Sequence, residues 1–483
     1  TTLLISLNTK FIHSNLAIRY LKNNVSNKNN KIIIKEFTIN QQIDYITSEI
    51  LDENPEILAF SCYIWNIEYI KKIAYIIKTA RPQIKIVFGG PEVSYEMEKI
   101  MKNNGFIDYI IYGEGEKTFN DLIQYFNGEF DNLDEIKGIA YRENENILIN
   151  NKQNIIINLD EIKSPYNGTE NFDNKMVYYE SSRGCPFSCS FCMSSIEKKV
   201  RFFSMDRVKK DLKLLLKTNA RQIKFVDRTY NIDHNRSIEI MEYIIENNKN
   251  NITIHFEITA NIIKKEFLDY LKTVPANMFQ FEIGVQSINI KTLNEINRSM
   301  NFEKLKNVVE IIKSNNNIHQ HLDLIAGLPF EDYNSFKQSF NTIHSFEIEK
   351  IQLGFLKVLK GTQMYKDRKI HKIEYLQYAP YEVIKTKYIS YEEILKLKKI
   401  EELVEKYYNE MYFKDSIRYI IENLFDTPFD FYETFSNYWD KKEYYKLKHK
   451  RKKLYQILFD FIQYEKGIIN DFINRLKFDY VFN

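Results

Sequence analysis

Ser181-Ser182-Arg183-Gly184-Cys185-Pro186-Phe187-Ser188-Cys189-Ser190-Phe191-Cys192 holds three of the four cysteines in this chain of 483 residues, spaced C-x3-C-x2-C. A disulfide scaffold does not gather its cysteines on one short loop, so the cluster points to metal. Zinc sites commonly pair C-x2-C units to reach four ligands, and no fourth cysteine or histidine lies close by in sequence. Three thiolates on one loop can hold three irons of a 4Fe–4S cluster and leave the fourth iron open to an exogenous ligand. Cys185, Cys189 and Cys192 are therefore the metal-ligand candidates. Gly184 and Pro186 let the loop wrap tightly, and Phe191 shields a cluster from solvent. A zinc loop or a chance cluster is the competing reading.

Outward from the loop, the middle third alternates strand and helix signals. Strands are predicted over Met176–Glu180, Gln222–Val226, Ile252–Ile258, Met278–Gly284, His319–Ala326 and Lys350–Phe355. Six such units suggest a partial (β/α)6 barrel, with the cysteines on its first βα loop, at the face where barrels carry their chemistry. The first third shows the same alternation, with apolar runs at Leu3–Leu7, Ile32–Phe37, Ile57–Phe60, Ile84–Phe88 and Tyr109–Tyr112. Ile67, Ile70, Ala74 and Ile77 recur at helical spacing. Short continuous apolar strands between helices imply a doubly wound parallel sheet covered on both faces. Gly89, Gly90, Gly113 and Gly115 fall just after strands, at the edge where open α/β sheets bind ligands. From about 380, spacings such as Ile394, Leu397, Ile400 and Leu403 predict helices. The expected architecture is α/β: a domain over 1–145, a linker over 146–174, a barrel over 175–375 and a helical region over 376–483.

Composition bounds the function. A mass of 58.0 kDa suggests about three domains. At 44% hydrophobic and 28% charged residues, the chain is neither disordered nor collagen-like. Sixty-eight basic against 65 acidic residues leave +3, too balanced to declare a nucleic-acid partner. Mean hydropathy is −0.42, and no window of eighteen uncharged apolar residues occurs, so no membrane span is expected. The opening TTLLISLNTK lacks the features of a signal peptide, which makes the cytoplasm the expected compartment.

The cysteine spacing is similar to the signature of the radical S-adenosylmethionine (SAM) superfamily, and the resemblance extends beyond it. Phe225-Val226-Asp227-Arg228-Thr229-Tyr230-Asn231 resembles that superfamily's second-strand motif. Glu282-Ile283-Gly284-Val285-Gln286-Ser287, with Leu293 and Asn297-Arg298, resembles the fourth. Asp323-Leu324-Ile325-Ala326-Gly327-Leu328-Pro329 resembles the fifth, and Gln352 to Thr362 the last strand and exit loop. The resemblance implies that the open iron chelates SAM and that reductive cleavage gives a 5′-deoxyadenosyl radical. By position it implies a SAM site as well. The backbone around Asp227 would meet the methionine amino group, and Glu257 the ribose hydroxyls. Gln286 and Ser287 would line the ribose or carboxylate, Arg298 would pair with the carboxylate, and Leu328 and Pro329 would pack on adenine. Each position has a plainer reading as a cap or salt bridge, and Asp227 and Arg228 as a mutual pair. No catalytic residue beyond the cofactor ligands is identifiable.

A doubly wound domain ahead of such a barrel resembles the cobalamin-binding class of the superfamily. The matching loops are Ser61-Cys62-Tyr63-Ile64-Trp65-Asn66, Gly89-Gly90-Pro91-Glu92 and Gly113-Glu114-Gly115-Glu116. Many cobalamin proteins carry D-x-H-x-x-G with a cobalt-ligating histidine. Here Asn8-Thr9-Lys10-Phe11-Ile12-His13-Ser14-Asn15 lacks the Asp and the Gly, so His13 is a helix-start or tail contact before it is a ligand. Tyr63 or Trp65 would cover the lower face, and Cys62 is expected to pack in the core. A methylthiotransferase N-terminal domain is the alternative, but it carries three cysteines where this one has Cys62, and those enzymes end in an all-β domain.

The C-terminal region resembles the helical extension of one subgroup of this class. Its basic run from Lys441 to Lys453 reads as a solvated helix face, or else as a receiver of phosphates. The function implied is a cobalamin-dependent radical SAM enzyme methylating an unactivated carbon, with an external electron donor such as flavodoxin or ferredoxin. A non-methylating radical reaction with cobalamin as electron mediator is the alternative, and a non-catalytic cobalamin- or redox-responsive protein is a third reading. Peptide, lipid, tRNA and small metabolite stay open as substrates.

Overall fold

The computed structural model describes residues 1–26 and 30–483. Two compact units divide the chain. The first holds Thr1–Pro186, Ile196–Phe256 and Gln377–Pro380, and the second holds Phe187–Ser195, Glu257–Leu376 and Tyr381–Asn483.

The first unit opens with strand–helix alternation: β1 Thr2–Asn8, α1 Leu16–Asn24, β2 Ile32–Thr38, α2 Ile43–Leu51, β3 Ile57–Ser61, α3 Ile67–Ala80, β4 Lys85–Gly89, α4 Met97–Asn103, β5 Tyr109–Ile111 and α5 Gly115–Phe126. Then come β6 Ile139–Glu143 and β7 Asn146–Ile149, and the sheet order is β2-β1-β3-β4-β5-β6-β7. The first five strands are parallel, and β6 and β7 add an antiparallel edge. The continuous apolar runs arise because both faces are buried. Leu3, Ile5 and Leu7 pack with Leu58, Phe60 and the apolar stripe of α3 on one face, while Leu4 packs with Ala59 and the stripes of α1 and α5 on the other. Chain direction across the sheet reverses between β1 and β3, and a ligand crevice forms outside the carboxyl ends at such a switch point. The segment 146–174, read as linker, begins with β7, which is hydrogen-bonded to β6. Its asparagines conceal an edge strand with only two half-buried residues.

The same unit continues through β8 Met176–Tyr179, β9 Ser182–Arg183, β10 Arg201–Phe202, α6 Met205–Leu215, β11 Gln222–Phe225, α7 His234–Asn247 and into β12 Thr253–Ile258. Strand β11 pairs in parallel with β8 and with β12, and β9 pairs antiparallel with β10.

The second unit carries α8 Lys265–Leu271, β13 Phe279–Gln286, α9 Ile290–Glu295, α10 Phe302–Asn315, β14 Ile318–Ala326, α11 Tyr333–His344, β15 Lys350–Phe355 and α12 Gln363–Asp367. Strand β14 pairs in parallel with β13 and with β15. Among the described residues β8 and β11–β15 correspond to the six strands predicted for the middle third, five of them starting and ending within one residue of their predicted limits. A short hairpin, β16 Glu374–Tyr375 with β17 Val383–Lys385, precedes the helices. Those are α13 Tyr391–Val404, α14 Lys414–Asn423, α15 Pro428–Lys441, α16 Arg451–Lys466 and α17 Asn470–Phe482. Ser390 and Glu393 form a capping box that starts α13. An aromatic core follows, in which Tyr407 meets Phe413, Phe435 and Trp439, all buried.

Candidate functional site

The cysteine loop is shaped by its first glycine. Gly184 has φ +93°, and a Cβ there would lie 2.2 Å from the Lys199 carbonyl oxygen, so no other residue fits. In the first unit the Cys185 amide donates to the Glu197 carbonyl at 3.0 Å, and its Sγ lies 3.6 Å from Thr229 Oγ1. In the second unit the Cys192 amide donates to the Cys189 carbonyl at 3.1 Å, and Ser190 N donates to Ile296 O at 2.9 Å. None of the three sulfurs is in a disulfide; Cys185 and Cys189 are buried, and Cys192 is half-buried, as is Phe191. Among the described residues no three His, Cys, Asp or Glu side chains converge as they would around a single ion. A cluster makes no such demand, because each iron takes its own thiolate. Three cysteine sulfurs on one loop with no carboxylate among them suit iron–sulfur rather than a lone hard cation.

Arg298 stands beside this loop. Its Nη1 lies 3.5 Å from Cys189 Sγ, and its Nη2 donates to the Gly284 carbonyl. A Cβ on Gly284 would come within 2.4 Å of Gln286 Nε2 and 3.1 Å of Arg298 Nη2, so the glycine makes room for both side chains. A cleft opens here at the carboxyl end of β13, lined by Phe187, Cys189, Asn261, Gly284, Arg298 and Met300 among others. Gln286 sits at a register irregularity of β13 with φ +73°, and its Oε1 is buried without a hydrogen-bond partner. That is an orphan acceptor at a strand end where a ligand is expected.

The remaining expected SAM contacts lie outside the residues lining this cleft. Ser287 is fully buried and donates to Glu331 Oε1 at 2.6 Å, and Ser339 donates to the same oxygen at 3.0 Å. Leu328 and Pro329 are buried and do not line the cleft. Asp227 accepts from Ser181 N, Ser181 Oγ and Ser182 Oγ at 2.8, 2.7 and 2.6 Å, rather than pairing with the exposed Arg228. Burial pushes its carboxyl up to about 6 despite those three bonds. Glu257 is half-buried near the end of β12.

At the β1/β3 switch point, a polar lattice holds the loops. Asn66 Nδ2 donates to Leu7 O and Ser61 O at 3.1 and 3.0 Å, and Asn15 Nδ2 donates to Ser6 Oγ and Ser61 Oγ. Trp65 Nε1 also donates to Leu7 O, at 3.1 Å, and the indole stacks on Tyr63 with centroids 4.4 Å apart and planes 6° from parallel. Trp65 remains 40% exposed, so the stacked pair presents a flat apolar face. Gly90 has φ +118°, and a Cβ would meet the Cys62 carbonyl oxygen at 2.5 Å. Gly89 ends β4, Gly113 follows β5 with φ +82° and Gly115 starts α5. Cys62 packs in the core, as expected, and burial pushes its thiol well up. His13 Nδ1 is 2.8 Å from Tyr178 Oη, and burial, with Lys10 and Lys224, holds its imidazole below the ordinary value.

Residues 3–123 match the B12 binding domain, residues 179–343 the radical SAM superfamily, and residues 369–483 a family described as a protein of unknown function (DUF4080). The cobalamin-dependent radical SAM methyltransferase TokK of Streptomyces tokunonensis is 25% identical over 310 residues, 60% of this chain and 45% of that protein. The match thus spans less than half of that relative's length. An uncharacterized methyltransferase of Pyrococcus horikoshii, PH0819, is 24% identical over 425 residues, 85% of this chain and 90% of that one. The solved structure of the cobalamin-dependent SAM radical enzyme OxsB, with aqua-cobalamin and SAM bound, shares the fold. Its TM-score is 0.65 at 16% identity, covering 100% of this chain and 79% of that chain. In one chain a match to the B12 binding domain is thus followed by a match to the radical SAM superfamily, the succession expected of the cobalamin-binding class.

Proposed function

We propose that this chain is a cobalamin-dependent radical SAM methyltransferase that methylates an unactivated carbon. The observation that carries the reading is the succession, in one chain, of a B12-binding domain and a C-x3-C-x2-C loop whose cysteines form no disulfide. When bound, a 4Fe–4S cluster with SAM supplies a 5′-deoxyadenosyl radical by reductive cleavage, and cobalamin carries the methyl group. Cys185, Cys189 and Cys192 would each hold one iron. Arg298 keeps a positive charge against the Cys189 sulfur. The orphan Oε1 of Gln286 offers an acceptor to SAM. The Tyr63–Trp65 face would support the corrin from below, and Gly89, Gly90, Gly113 and Gly115 allow close backbone approach to it. The names of the TokK and PH0819 relatives support methyl transfer. An external one-electron donor such as flavodoxin or ferredoxin and a cytoplasmic setting belong to this reading. Among the described residues no helix is long and apolar enough to cross a membrane.

The test is single replacement of Cys185, Cys189 or Cys192 by Ala. Each variant, reconstituted anaerobically, should lose at least about 100-fold in 5′-deoxyadenosine formation, which is about 2.7 kcal/mol in barrier. Cleavage retained in any one of them contradicts the assignment.

A further inference from the structure

The loop after β5 was expected to serve a corrin, yet its two carboxylates are directed elsewhere. Arg183, two residues before Cys185, donates from Nη2 to Glu116 Oε1 at 2.5 Å and to Glu180 Oε1 at 2.7 Å, and from Nη1 to Glu114 Oε1 at 3.3 Å. Arg201 donates from Nη2 to Glu114 Oε1 at 2.7 Å, and it also pairs with Glu197 at 3.3 Å. Arg183 and Arg201 lie directly opposite each other across the β9–β10 pair. Like charges in that register repel, and Glu114 resolves the repulsion by accepting from both guanidinium groups. The side chains of Arg183, Glu116 and Arg201 are 14%, 9% and 2% exposed, so the charges interact with little screening. Burial alone would raise Glu114, but Arg201 and Arg183 outweigh it and hold the carboxyl below its ordinary value.

We propose that Arg183, clasped by Glu114 and Glu116, is a positioning residue that pins the stem of the cysteine loop, and with it Cys185, to the loop after β5. The geometry leaves the stem little freedom. Arg183 is held by three carboxylates, Gly184 is pressed against the Lys199 carbonyl, and the Cys185 amide is bonded to Glu197 O. Glu197 in turn is held by Arg201, which closes the circuit through Glu114. Glu114 and Glu116 thereby act on the cluster side of the protein and not on the corrin. The inference rests on Cys185 being a cluster ligand.

The experiment uses full-length wild type, Arg183→Lys and Glu116→Gln, each reconstituted anaerobically with iron and sulfide. Arg183→Lys keeps the charge and removes the fork; Glu116→Gln removes one charge from a group with four carboxylates to two guanidinium groups. Three quantities are read: iron per chain, the electron paramagnetic resonance spectrum of the reduced cluster with and without SAM, and hydroxocobalamin affinity by absorbance. Circular dichroism and the thermal midpoint monitor the fold. The expected result is that the SAM-induced spectral change falls at least threefold in both variants. Hydroxocobalamin affinity should stay within twofold of wild type, with the circular dichroism spectrum of a folded chain. A tenfold loss of cobalamin affinity with an unchanged spectrum would assign Glu116 to the corrin and overturn the proposal. Variants identical to wild type in all readouts would overturn it as well. If Arg183→Lys does not fold, Glu116→Gln alone decides by the same criteria. Wild type that takes up no iron would instead sink the reading of Cys185 as a ligand, which separates the two failures.

Discussion

Glu331 shows how much a single buried acid contributes to this molecule. It is 1% exposed, accepts from Ser287 and Ser339 through Oε1, and leaves Oε2 buried without a partner. Burial pushes its carboxyl up to about 7 from the usual 4.5, with the Asp332 charge adding to the effect and the two serine bonds opposing it. The folded chain therefore holds the proton more tightly than the unfolded chain. The resulting stability is fully present below pH 4.5 and is lost as pH rises through 7, about 3 kcal/mol in all. Glu331→Gln should flatten this slope. Urea midpoints at pH 5 and pH 8 should differ less in the variant than in wild type, and equal differences would contradict the assignment. Gly184→Ala is the second prediction at this scale. The added methyl meets Lys199 O at 2.2 Å in a left-handed backbone, so iron bound per chain after reconstitution should fall at least fivefold. Iron uptake equal to wild type would show that the loop tolerates the methyl. The cysteines and this glycine were legible because their chemistry depends on residue type and short spacing. The partnership of Ser287 with Glu331, 44 positions apart, and that of Arg183 with Glu116, 67 apart, was not, because nothing local marks either partner.

Among the elements, parallel strands buried on both faces announce themselves as apolar runs, and β15 runs from Lys350 to Phe355 as predicted. The hairpin β6–β7 escaped notice because β7 is an edge strand whose apolar residues are only half-buried. The helical C-terminal region was readable from the spacing of Ile394, Leu397, Ile400 and Leu403, all buried along α13. Its basic run from Lys441 to Lys453 ends α15 and begins α16, with Lys446 paired to Glu443 at a largely exposed position, as a solvated face should be. The loops at the β1/β3 switch point give the prediction for this scale. Gly90→Ala drives a methyl to 2.5 Å from Cys62 O and forces the loops after β3 and β4 apart. The cost should be about 2–3 kcal/mol of stability, with loss of hydroxocobalamin binding measured by absorbance titration. Trp65→Ala, by contrast, removes a ring that is already 40% exposed. It should leave the thermal midpoint nearly unchanged and weaken hydroxocobalamin about tenfold. Undiminished affinity in that variant would remove the stacked pair from the corrin site.

For the whole molecule, the order of domains matters more than any single contact. A sheet with its switch-point loops precedes the cysteine loop, and barrel strands and a helical extension follow. Each part has a recognisable pattern of its own, whereas the division into two compact units does not follow those patterns, since the second unit takes residues 187–195 of the cysteine loop. Such a division depends on packing between segments distant in sequence. The central claim is that the chain cleaves SAM reductively and transfers a methyl group with the help of cobalamin. The most direct measurement is product analysis by mass spectrometry on the full chain, reconstituted anaerobically with iron, sulfide and hydroxocobalamin. SAM and a strong reductant are added, with and without cell extract as the source of acceptor. Both 5′-deoxyadenosine and S-adenosylhomocysteine should rise when extract is present. A cluster-loaded protein that forms 5′-deoxyadenosine without S-adenosylhomocysteine would contradict methyl transfer, and one that forms neither would contradict the radical reading itself.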